Sequence, residues 1–351
     1  MSLSAFEHPF LSGLTGDPEI AALFTAEADL AAMLSFEAEL AGAEAQAGII
    51  PGEAAEAIHV ALGAFTPDMA ALKAATAVDG VVVPELVRQL RRAVNSAAAP
   101  YVHYGATSQD VIDTSLMLRL KQAASLLAVR LKALAEALST LETREGVRPL
   151  MGHTRMQAAI PITAGDRIRS WRLPIQRTAA AFDEFRETGF ALQFGGAAGT
   201  LEKLGDRAED VRAGLADRLS LMDEPQWQSQ RGRLAEFAGS LSLMTGSLGK
   251  MGQDLALLAQ MGNEVVLAGG GGSSAMPHKR NPVGAELLVT LARFNAVQLS
   301  GMHHALVHEQ ERSGAAWMLE WMLLPSMVAA TGRALLTALD LVNKIEFVPA
   351  P

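Results

Sequence analysis

Four long intervals without proline constrain this chain more than any other feature. Pro100 to Pro149, Pro174 to Pro225, Pro225 to Pro277 and Pro282 to Pro325 enclose 48, 50, 51 and 42 residues. Proline ends or kinks helices, so these intervals permit helices far longer than the usual three turns. The first interval shows the period directly. Leu116, Leu120, Ala123, Leu127, Leu131, Leu134, Leu138 and Leu141 follow one another at steps of three and four, the spacing of an α-helical stripe. Asp110 or Asp113 caps its start, and Gly146 with Pro149 stops it. A stripe of that length suits a bundle helix or a subunit interface.

Composition agrees with a helical core. Half of the 351 residues are apolar, 19% are charged and only 5% are aromatic. That is too apolar for a disordered chain and favours closely packed helices over sheet layers. With no cysteine, disulfides, thiolate metal sites and cysteine nucleophiles are all excluded. A net charge of −9 argues against a nucleic-acid or anionic-membrane surface. No apolar run of membrane-spanning length and no basic leader are visible, so a cytoplasmic protein is expected. Shorter helices are predicted over Glu19–Ala47, Glu53–Ala64 and Pro84–Ala99, and Val81–Val83 is too short to seed a sheet. The expected fold is all-α: a helical domain at 1–100, a long-helix bundle at 101–345 and a tail at 346–351.

Three polar stretches marked by glycine or proline fall at expected helix ends. His103 to Asp110 (HYGATSQD) places Thr107 and Ser108 at a helix N-terminus, where hydroxyl and backbone N–H donors face an anion; an ordinary N-cap explains it equally well. Gly152 to Pro161 holds His153, Arg155 and Gln157, a proton carrier and a carboxylate fork within five residues. By itself it would read as a solvated turn. Gly269 to Pro282 (GGGGSSAMPHKRNP) opens on four glycines and crowds Ser273, Ser274, His278, Lys279, Arg280 and Asn281 at its tip, as a substrate-closing loop would. It lacks the P-loop spacing, and no dinucleotide fingerprint or G-x-S-x-G elbow occurs. His304 and His308, four apart, lack a third ligand and read as surface or interface histidines rather than a metal site.

Gly272 to Pro282 resembles the GSSxMPxKxNP loop of the fumarase/aspartase superfamily, and Thr107–Asp110 and Gly152–Gln157 stand where its other two active-site regions would. Within it, Thr107–Asp110, Gln193–Thr200 and Trp227–Glu236 look like the 3-carboxymuconate cycloisomerase branch. The resemblance implies a homotetramer with sites shared between subunits, no cofactor, no metal and a small polycarboxylate substrate. The expected reaction is closure of 3-carboxy-cis,cis-muconate to its lactone by proton transfer α to a carboxylate. Ser273 matches the catalytic position, with His153 and His103 as alternatives. Thr107, Ser108, Gln109, Arg155, Gln157, Ser274, Lys279, Asn281 and Arg312 are the candidate substrate-binding residues, and Glu286 is a supporting one. Two departures stand out: Arg155 occupies the place of the usual histidine, so the histidine–carboxylate pair with Glu286 does not carry over, and the usual small C-terminal domain is largely lacking. A 3-sulfomuconate cycloisomerase, an adenylosuccinate-lyase-type enzyme and a silent helical oligomer remain as alternatives.

Overall fold

A computed structural model describes residues 4–262, 264–267, 271–272, 275–276 and 278–348. Six helices precede the bundle: α1 (Ser12–Thr15), α2 (Pro18–Ala22), α3 (Ala26–Gln46), α4 (Gly52–Gly63), α5 (Met69–Asp79) and α6 (Val83–Ala93). Then come α7 (Ser108–Glu145), a hairpin of β1 (Pro149–Thr154) and β2 (Gln157–Thr163), α8 (Ala164–Thr188) and α9 (Ala208–Leu219). The chain closes with α10 (Gly232–Met261), β3 (Val265–Leu267), α11 (Val283–His304), α12 (Gly314–Lys344) and β4 (Ile345–Phe347). The all-α expectation holds: among the described residues the strands form two antiparallel pairs.

Helix α7 carries the whole predicted stripe from Leu116 to Leu141, and every member is buried. At 38 residues it is about 57 Å long. Its start is fixed by Thr107 at the N-cap, whose backbone N–H donates to Asp110 Oδ2 at 2.9 Å. Gly146 follows its last residue as expected, but Asp113 is not a cap; it is wholly buried.

Other boundaries moved for local reasons. The predicted Glu19–Ala47 helix divides because Thr25 caps α3, its hydroxyl accepting from Ala28 N at 3.2 Å. Asn95 Oδ1 accepts from the N–H groups of Ala97 and Ala98, a side-chain turn that replaces the last part of the predicted Pro84–Ala99 helix. Helix α5, which the sequence reading lacked, starts on Asp68 and ends on Gly80 at φ 74°. Pro174 and Pro325 lie inside α8 and α12 rather than ending them. Glu346 and Phe347, assigned to a tail, pair with β3.

Helices α10 and α11 run antiparallel: Gly249 lies against Ala292, and Gly252 against Ala285 and Leu288. The apolar core is continuous from Ile20 and Phe36 through α7 to Leu335. Helix α12 is long and apolar enough to cross a membrane, yet it packs on α7, α10 and α11 as a core helix. The long helices still expose large apolar side chains. Val129, Leu243 and Val297 are each 69% exposed, and Met322 is 73% exposed. These four side chains stand one on each of α7, α10, α11 and α12.

A buried carboxyl group gives the fold a pH dependence. Glu44 on α3 is inaccessible, neither carboxyl oxygen has a partner, and burial together with the charge of Glu37 pushes its pKa up to about 9. The folded state therefore holds a proton that the unfolded chain releases above its ordinary value near 4.5. This contribution to stability is complete at low pH and fades as pH climbs toward 9, by at most about 1.4 kcal/mol per pH unit. Glu44→Gln is expected to flatten the fall in stability between pH 5 and 9, read from urea midpoints at fixed protein concentration. An unchanged slope would show that Glu44 is ionised in the folded protein.

Candidate active site

The N-terminal end of α7 is a built polar site. Asp110, wholly buried, accepts from the backbone N–H groups of Thr107, Gly195 and Gly196 at 2.9, 2.9 and 3.0 Å and from Gln193 Nε2 at 3.2 Å. Burial raises its pKa to about 6 against the pull of those four donors. Asp110 thus ties the helix start to the glycine-rich segment after α8. Gly196 must be glycine here: its φ is +67°, and a Cβ would stand 2.9 Å from the Gly105 carbonyl oxygen.

Gln109 is also buried, and its amide is fully used. Its Nε2 donates to Asp113 Oδ2 at 3.1 Å and to the Gln228 carbonyl at 2.7 Å, while its Oε1 accepts from Arg312 Nε at 2.8 Å. Arg312 also reaches Thr107 Oγ1 at 3.3 Å and the Ala197 carbonyl at 3.4 Å. The predicted binding residues Thr107, Gln109 and Arg312 therefore meet. Gln109 serves by aiming the guanidinium, and Arg312 sits exposed at the rim, where an anion can reach it. Ser108 begins the helix beside them, partly buried.

Beneath this rim lies an ionic cluster that sequence reasoning missed. Arg231, with a side chain only 1% exposed, donates to Asp113 Oδ2 at 2.5 Å, to Asp113 Oδ1 at 3.0 Å and to Glu320 Oε1 at 2.9 Å. Its pKa is raised: burial pulls it down, but the two carboxylates outweigh that. Trp317 Nε1 completes Asp113 at 2.9 Å, and the guanidinium lies 4.7 Å from the Trp227 ring centroid. His308, expected at a surface or interface, instead has its side chain fully buried, with Nε2 3.7 Å from Glu320. Spacing could not have revealed this cluster, because its members are 118 and 89 residues apart in the chain.

A histidine stands beside the same helix end. His103 has a left-handed backbone, φ 61°, and its Nδ1 is 2.6 Å from Oε1 of Glu37 on α3. Burial, the largest influence, lowers the imidazole pKa, yet the charge and hydrogen bond of Glu37, with Asp110 behind them, raise it above its usual value on balance.

The other predicted residues lie elsewhere. His153, on β1, bonds the Met151 carbonyl through Nδ1 at 3.0 Å. Arg155 and Met156 form the hairpin tip at φ 48° and 65°, a pair of left-handed residues where glycine or asparagine is usual. Arg155, Met156 and Gln157 are all exposed. His153 and Arg155 border a cavity of about 500 Å³ with Arg167 and Asp254. In the third region, Gly271 and Asn281 exchange two backbone hydrogen bonds at 3.0 and 2.8 Å, closing the base of the loop. Lys279 is exposed, and Glu286 lies exposed in the first turn of α11. Ser273 and Ser274 lie outside the described residues. Among the described residues, no group of three histidine, aspartate or glutamate side chains is placed to hold a metal.

Helix lengths separate these regions. The hairpin follows the far end of α7, about 57 Å from Thr107. The start of α10 adjoins the Arg231–Asp113 pair, and the third loop follows its other end, about 45 Å away. Met151 N donates to Glu264 Oε1 at 2.8 Å, so the second and third regions share that distant end.

Known proteins resemble this chain in sequence and fold. The sequence profile of the Lyase family matches residues 15–297. A 3-carboxy-cis,cis-muconate cycloisomerase of Pseudomonas aeruginosa is 41% identical over 312 residues, covering 87% of this chain and 68% of that protein. The solved 3-carboxy-cis,cis-muconate lactonizing enzyme of Pseudomonas putida superposes with a TM-score of 0.90 at 38% identity, covering 96% of this chain and 77% of that one. A fumarate lyase from Mesorhizobium sp. BNC1 gives a TM-score of 0.87 at 32% identity, covering 95% and 76%.

Proposed function

The chain belongs to this lyase family, the fumarase/aspartase superfamily, and from that premise we infer that it is a 3-carboxy-cis,cis-muconate cycloisomerase. The observation that carries the reading is the 36–41% identity to four curated cycloisomerases, joined to a polar helix end that presents Arg312 to an anion. In the reaction, one substrate carboxylate adds to the alkene and a C–O bond forms. The π pair moves to the carbon α to a second carboxylate, which takes up a proton to give the lactone. Negative charge builds on that second carboxylate, so catalysis requires fixed cations and N–H donors around it. Arg312, Arg155, Lys279 and Asn281 have that chemistry, which places local positive charge in a chain of net charge −9. Losing one such donor costs roughly 100- to 1000-fold in rate. Ser273 is the residue we assign to proton transfer on its match to the superfamily position.

We place the working protein as a homotetramer, with Thr107 and Arg312 of one subunit facing the hairpin and third loop of others. The separations of about 57 and 45 Å support this, since no single chain brings the three regions together. The exposed apolar faces of the four long helices support it too. The test is loss of diene absorbance on adding 3-carboxy-cis,cis-muconate, with adenylosuccinate and 3-sulfomuconate run in parallel. Turnover of the carboxymuconate well above both is the expected result. Turnover of none would overturn the enzyme reading, and preference for either comparator would reassign the substrate.

A further inference from the structure

We propose that Glu37 is a positioning residue for this reaction: it engages Nδ1 of His103 and leaves Nε2 as the nitrogen that meets the substrate. The proposal rests on the cycloisomerase reading of the same site and adds to it a histidine–carboxylate pair drawn from α3 and the loop before α7.

The geometry is that of an oriented imidazole. Nδ1 of His103 lies 2.6 Å from Glu37 Oε1, short even for a charge-assisted contact. The Glu37 side chain is 1% exposed, and its other oxygen, Oε2, is buried with no partner. The whole hydrogen-bonding capacity that Glu37 uses is therefore spent on the imidazole. His103 is 14% exposed and, among the described residues, its Nε2 has no hydrogen-bond partner. A residue of this kind held at φ 61° stores backbone strain, which persists only where the surroundings fix it. Here the fixing groups are Glu37 on one side and, two residues on, Gly105, packed against Leu204 and Gly196.

Beside the burial that disfavours its charge, the charges facing His103 come from three helices. Glu37 on α3 and Asp110 on α7 favour the imidazolium, while Arg91 on α6 opposes it. Glu44, about two helical turns beyond Glu37, is held protonated by its burial and by the charge of Glu37. With Nδ1–H given to Glu37, an imidazolium keeps Nε2–H as its free donor, four residues in the chain before Thr107, which Arg312 contacts. Once deprotonated at high pH, the ring is left in the single tautomer whose Nε2 accepts, so the nitrogen left to the substrate changes from donor to acceptor.

The test uses the full-length oligomer and two readouts. In the first, kcat/KM for 3-carboxy-cis,cis-muconate is followed from pH 5.5 to 9 in the wild type, Glu37→Gln, Glu37→Asp and His103→Gln. The expected wild-type profile falls on its alkaline side as His103 loses its proton. Glu37→Gln moves that fall down by about one pH unit, giving roughly tenfold less activity at pH 8 and less than about threefold at pH 6. Glu37→Asp recovers part of the shift, and His103→Gln removes the alkaline fall. In the second, carbon-13 labelling of histidine Cε1 follows the His103 titration by NMR without turnover, and Glu37→Gln is expected to lower its midpoint. An unchanged midpoint overturns the pairing. A lowered midpoint with an unmoved activity profile overturns its use in the reaction. If the wild type turns over no muconate at all, the function reading fails, while the NMR titration still decides the pairing.

Discussion

Arg231→Met is expected to cost about 3–5 kcal/mol of stability, the upper range for removing one partner from a buried ion group. Arg231 holds two carboxylates, Asp113 and Glu320, and neither is measurably exposed to water. Without it, both must be neutralised or left as unpaired charges in the core. Because such carboxylates would take up protons on folding, the deficit shrinks as pH falls toward 4, where the unfolded chain also binds them. Arg231→Lys keeps the charge but loses the fork that spans both partners, so an intermediate loss is expected. The triple change Asp113→Asn, Arg231→Met, Glu320→Gln should recover much of the stability, since no bare charge is left behind. Urea midpoints at one fixed protein concentration measure all three. A loss below about 1 kcal/mol for Arg231→Met would show that water reaches this cluster. The same variant also loosens the rim: Arg231 fixes Asp113, Asp113 accepts from Gln109, and Gln109 aims Arg312.

That chain of contacts separates what the sequence discloses from what it hides. The α7 stripe was legible because a period near 3.6 is local information, written residue by residue into Leu116 through Leu141. The capping start at Thr107–Asp110 was legible for the same reason. The third loop was legible because few chains crowd serine, lysine, arginine and asparagine between glycines and prolines. By contrast, Arg231, Asp113, Glu320 and Glu37 look like any charge on an amphipathic helix. Only the fold shows that they point inward, where partners 66 to 118 residues away await them. Gln109 shows the intermediate case: the motif marked it, but only the structure shows its amide turned toward Arg312 rather than outward. Helix α5 was missed because its buried face reduces to Leu72, too little to print a period.

The largest effect on activity should come from mixing two inactive variants. Arg312→Ala removes the cation at the helix end of α7, and Ser273→Ala removes the hydroxyl assigned to proton transfer. Each alone is expected to fall at least 100-fold in kcat while keeping its assembly. In one chain Arg312 reaches the α7 start that α10 adjoins at its first residue, while the described third-loop residues Gly271 and Asn281 follow the other end of α10, about 45 Å along the helix. In the tetramer we propose, each site takes Arg312 from one copy and Ser273 from another. When the two variants are unfolded together and refolded in equal amounts, some sites receive both intact parts. If the parts assort independently, one half times one half gives roughly a quarter of the wild-type activity. The control is mixing without unfolding, which leaves each assembly whole and should restore nothing on the time scale of the assay. Recovery near a quarter establishes that the two regions come from different chains. No recovery after co-refolding, with mixed oligomers demonstrated by mass, would place both residues in the site of a single chain. The helix lengths would then have to be reconciled with a site that bends back along the bundle.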